Sequence, residues 1–74
     1  MVVDIVIKKS IDGYSVEIPS IKGCESWAHD EDTALEKILE LASFYLKIPK
    51  EKFKLDKARK EEEKIIYKLI FHKN

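Results

Sequence analysis

The sequence holds one cysteine in 74 residues, with two glycines, two prolines and one tryptophan. Each scarcity excludes something. A single thiol rules out an intrachain disulfide, and one Cys with two His is too few for a structural zinc site built from those residues alone. So few glycines and prolines leave no linker, and the chain reads as one small domain over residues 1–74. Net charge is also missing. Fourteen Lys and Arg cancel fourteen Asp and Glu, which removes the global field that would draw the chain to nucleic acid. No apolar run approaches the ~20 residues of a membrane span. The opening stretch MVVDIVIKKS lacks the charged leader and cleavage site of a signal peptide. With a free thiol, that sets the expectation of a cytoplasmic protein. A domain of this length buries only about 60 % of its unfolded surface. Without a disulfide or a metal it needs a well-formed core or a second subunit, so a homo-oligomer is expected.

What is present is strand and helix patterning. VVDIVIKKS is rich in β-branched residues and alternates, with Val3, Ile5 and Ile7 on one face and Asp4 and Lys8 on the other. Asp12-Gly13 then marks a hairpin turn, where Gly13 is free to take positive φ and Asp12 to bond nearby backbone. YSVEIP alternates again, with Tyr14, Val16 and Ile18 inward, and Pro19 stops the strand. SIKG is turn-rich and CESWA reads as a short third strand, with Trp27 pointing opposite Cys24, Ser26 and Ala28. Asp30 suits a helix cap, and Glu31 and Asp32 put negative charge where the helix dipole favours it. Leu35, Ile38, Leu39, Ala42, Tyr45 and Leu46 form one helical stripe, and Pro49 ends the helix near Lys47 or Ile48. IIYKLIFH alternates as a strand, with Ile65, Tyr67, Leu69 and Phe71 on one face. A partner strand near 52–58 is allowed, with KEEEK as the turn between them. The expected fold is α+β: an antiparallel sheet in the order β-β-β-α-β, with that extra strand as an option and one helix on one face.

Residues 12–35 carry a family resemblance. Asp12, Gly13, Tyr14, Val16, Ile18 and Pro19, then Ile21, Gly23 and Cys24, then Ala34 and Leu35 resemble the N-terminal domain of HicB-like antitoxins. The likeness covers most of residues 3–46, and the spacing from Gly-Cys to Ala-Leu is its most specific part. Where the family carries Gly-Asp-Thr before the helix, this chain has Ala28, His29 and Asp30, and residues 50–74 match only as a final strand. The resemblance implies a hairpin sheet with one helix, similar to a trimmed ribonuclease-H-like core. It also implies a non-enzymatic protein-binding module that masks a small RNA-cleaving, HicA-like toxin. Full-length members often append a DNA-binding domain, and none is expected after the final strand here.

Several residue sets compete as the site. Cys24, His29 and a carboxylate are the ingredients of a thiol hydrolase, and Asp4 sits where a ribonuclease-H-like fold would place an acid, so a small hydrolase or nuclease is the alternative to binding. The plain reading packs Cys24 as a small apolar group under the helix. His29, Asp30 and Asp32 lack any metal-ligand spacing and are explained as a helix start, so no metal and no cofactor are expected. Lys8, Lys9, Lys22 and the lysines of 47–60 alternate with acids, which weakens a phosphate-tracking stripe. Trp27, Leu41, Phe44 and Phe53 are the apolar residues least explained by one core, and they are the candidates for partner or self-association.

Overall fold

The computed structural model describes residues 1–72. Its strands are β1 (Val2–Lys9), β2 (Tyr14–Glu17), β3 (Glu25–Ala28), β4 (Lys54–Lys60) and β5 (Lys64–Ile70), with α1 (Glu31–Leu46) between β3 and β4. The strands form one sheet in the order β3-β2-β1-β5-β4, and every neighbouring pair is antiparallel. This is the expected α+β fold, and the optional extra strand is present as β4.

The alternation of the sequence decides the inner face. Ile5, Ile7, Val16, Ile18, Ile65, Leu69 and Phe71 are buried and share one core with Ala34, Ile38 and Ala42 of the helix. The helix runs closest to β3 and β2. Its most buried line is Ala34, Ile38 and Ala42, spaced by four, with Leu35, Leu39, Leu41 and Leu46 packed half-buried beside it. The stripe read from the large side chains is therefore rotated. Tyr45 is 45 % exposed, because two alanine methyls let the helix backbone settle close to the sheet along their own line. The far half of the sheet is covered by the segment after the helix: Ile48 is buried, and the Phe53 ring meets Phe71 edge-on at 5.8 Å.

The turns explain most of the residues that carry the family resemblance. Pro19 and Ser20 lie inside a turn closed by Ile21 N–H donating to the Ile18 carbonyl, and a second turn is closed by Cys24 N–H donating to the Ile21 carbonyl. Gly23 occupies the third position of that second turn at φ 83°, where a Cβ is strained. Gly13 departs from expectation. Gly23 is the glycine with positive φ, whereas a Cβ on Gly13 would stand 2.4 Å from the Ala28 carbonyl oxygen and 2.7 Å from the Trp27 ring. Gly13 is there for close approach of two strands, and the loop is closed by Ser10, whose N–H and hydroxyl both donate to the Gly13 carbonyl, rather than by Asp12.

Asp30 caps the helix as expected, its carboxylate accepting from the Thr33 N–H at 2.8 Å and from the Thr33 hydroxyl at 3.0 Å. The helix ends at Lys47, which adopts the left-handed conformation at φ 58°, while Ile48 N–H donates to the Ser43 carbonyl.

Candidate functional site on the open face of the sheet

One helix covers one face of the sheet, so the other face carries side chains with nothing packed on them. The pairing register lays these out in rows. Across β3, β2, β1, β5 and β4 one row reads Glu25, Glu17, Val6, Ile66, Arg59. The row beside it reads Trp27, Ser15, Lys8, Lys64, and the row on the other side reads Asp4, Lys68, Asp56. Val2 and Ile70 sit opposite each other in the next row, beside Lys54.

The centre of this face is apolar. Among the described residues Ile66 is the one buried hydrophobic residue outside the main core cluster, at 8 % exposed, although none of their helices or strands lies over it. Asp4, Arg59 and Lys68 surround it, and the stems of long basic side chains shield it from water. Lys68 is ion-paired with Asp4. Toward β3 the face opens into a shallow groove of about 440 Å³ lined by Val6, Lys8, Ser15, Glu17, Glu25 and Trp27. Trp27 stands at its rim, 40 % exposed, with the His29 ring edge-on at 4.7 Å.

Two acids of this groove face each other. Glu17 and Glu25 are directly opposite each other across β2 and β3. Like charges in that position repel. Among the described residues the ion pairs are Lys50–Glu40, Arg59–Glu61, Lys64–Glu61 and Lys68–Asp4, so neither Glu17 nor Glu25 has a basic partner.

The four apolar residues singled out from the sequence do not gather. Trp27 lies on the open face. Phe44 is 76 % exposed, and it stands on the helix, on the other side of the sheet. Leu41 and Phe53 pack against the core, so they are explained by folding and leave the candidate surface.

Cys24, His29 and Asp4 are not brought together either. Cys24 is buried against the helix side, and burial pushes its thiol pKa up, away from the thiolate a nucleophile needs. Asp4 lies on the opposite face with Lys68, and His29 lies beside Trp27. Among the described residues no group of three or more His, Cys, Asp or Glu side chains is placed to hold a metal ion. Among them, too, no helix is long and apolar enough to cross a membrane.

Sequence reasoning could place Glu17 and Val6 outward from alternation alone. It could not place Ile66 and Arg59 beside them, because nothing in a lone strand pattern says that β5 pairs with β1.

Forty-seven residues of the chain align at 40 % identity with a UPF0150 protein of Archaeoglobus fulgidus, over 62 % of this chain and 68 % of that protein. No family model matches the chain. No solved structure matches it.

Proposed function

The chain belongs to the UPF0150 family, and from that premise, with the likeness of residues 12–35 to HicB-like antitoxins, we propose that it is a non-enzymatic protein-binding module of the antitoxin type. Its partner is a small basic protein, an RNA-cleaving HicA-like toxin, and its docking surface is the open face of the sheet. The observation that carries this reading is the pair Glu17 and Glu25, held opposite each other without a base, beside the exposed Trp27. A cationic partner relieves that repulsion and removes the indole from water. Trp is among the residue types enriched in binding hot spots, and complementary charge steers the right partner to them.

The cluster around Cys24 has a different use in this reading. Cys24 and Ala28 fill the space under the helix, Asp30 caps the helix, and His29 buttresses the Trp27 ring.

A tagged chain used to capture partners from its native cell at moderate salt tests the proposal. A small basic protein is expected, whose RNA cleavage stops when this chain is added, and which a Glu17→Lys/Glu25→Lys bait fails to hold. Capture of no such protein, or equal capture by the charge-reversed bait, contradicts the assignment.

A further inference from the structure

Trp27 is exposed, yet its neighbours hold it in place. The register of β2 on β3, continued one pair beyond Tyr14 and Ala28, sets Gly13 opposite His29. Gly13 is buried although it lies outside the strands. The indole takes the space that a side chain at position 13 would fill: a Cβ there would stand 2.7 Å from Trp27 Cζ2 and 3.2 Å from the His29 Cα. An aromatic ring laid across the neighbouring strand is a device that supports such a glycine.

His29 follows two residues after Trp27, and its ring meets the indole at 4.7 Å between centroids and 75° between planes. That edge-on contact is attractive in itself. The backbone beneath is tied as well, because Lys37 reaches from the helix and donates to the Trp27 carbonyl at 3.1 Å. Ser15, opposite Trp27, is small, so the groove stays open beside the ring. His29 is exposed, and the helix start is capped by Asp30 without it.

On the reading of the open face as a docking surface, we infer that His29 is a positioning residue for the basic partner. It holds the indole over Gly13, so Trp27 meets the partner already in its bound orientation. A side chain that moves freely before docking loses that freedom on binding, and affinity falls accordingly; one set in place by the fold avoids the loss.

Trp27 is the only tryptophan, so its motion can be read directly by time-resolved fluorescence anisotropy of the full chain. The wild-type indole is expected to turn only with the whole molecule. His29→Ala is expected to add a faster rotation of the ring and to weaken binding of the small basic protein that the tagged chain captures by about two- to tenfold. Its urea midpoint is expected to stay near that of wild type, because position 29 is exposed. His29→Phe restores an aromatic edge and is expected to restore both the slow rotation and the binding. A wild-type indole that rotates fast, a ring as still in His29→Ala as in wild type, unchanged binding by His29→Ala, or a loss that His29→Phe does not restore overturns the inference. The anisotropy needs no partner. Failure to capture a basic protein therefore contradicts the docking reading alone, while the rotation of the ring still decides whether His29 holds it.

Discussion

At the scale of single residues, the two glycines do different work and predict different costs. Alanine at position 13 drives a methyl into the Ala28 carbonyl oxygen, which is backbone and cannot turn away. Gly13→Ala is expected to cost about 1–3 kcal/mol, the range for overpacking, read by urea denaturation. Gly23→Ala meets only the Tyr45 hydroxyl, at 3.4 Å, but has the wrong backbone angle, at about 1–2 kcal/mol. Tyr67 carries a pH signature. Its pKa is pushed up to about 12, first by burial, then by donating its hydroxyl to Glu31, then by the negative charge of Glu31 and Asp32. The fold thus favours the neutral phenol. The stability it confers is full below the ordinary pKa of 10.0 and is lost as the pH rises through about 12. An ultraviolet phenolate titration should show one component near that value, absent in Tyr67→Phe. Cys24 is expected to react with a soluble disulfide reagent only as fast as the chain opens, and Cys24→Ala should leave association unchanged. Fast modification of the native thiol, or loss of association in this variant, would return Cys24 to the candidate site.

At the scale of elements, the helix end carries a backbone angle that its residue does not favour. Lys47 holds a left-handed conformation that suits glycine. Lys47→Gly is expected to stabilise the chain by about 0.5–1 kcal/mol, net of the extra freedom glycine has when unfolded, measured by denaturant midpoint. The elements themselves were readable from periodicity. Ile5 and Ile7, Val16 and Ile18, and Ile65 and Leu69 fall on the inner face because strand side chains alternate, and Asp30 caps because its carboxylate reaches the Thr33 N–H. Two things escaped. The helix seats on Ala34 and Ala42, and a pattern weighted by large apolar residues points instead toward Tyr45. The candidate site depends on β5 pairing with β1, a contact between residues more than 55 apart, as with Val6 and Ile66. Its placement comes from the order in which strands pack, and local sequence does not encode that order. Trp27 was readable as outward-facing, whereas the opposition of Glu17 and Glu25 required the register of β2 on β3.

At the scale of the whole molecule, the chain is 39 × 21 × 21 Å, with the helix over β3 and β2 and the β4–β5 hairpin extending beyond it. Its charges sum to zero, and on the uncovered face Glu17 and Glu25 stand opposite each other on β2 and β3 while Lys64 and Lys68 stand on β5, with Val6 and Ile66 between them. On the proposed reading this face, with Glu17 and Glu25 opposed beside the exposed Trp27, is where a basic partner docks. Hydroxyl-radical footprinting with and without the small basic protein that the tagged chain captures tests it most directly, because it reports Trp27 and Phe44 together from opposite sides of the sheet. The account predicts that oxidation of Trp27 falls several-fold as partners occupy the face while that of Phe44 stays constant. Constant oxidation of Trp27 in an associated sample, or protection of Phe44 in its place, would contradict it.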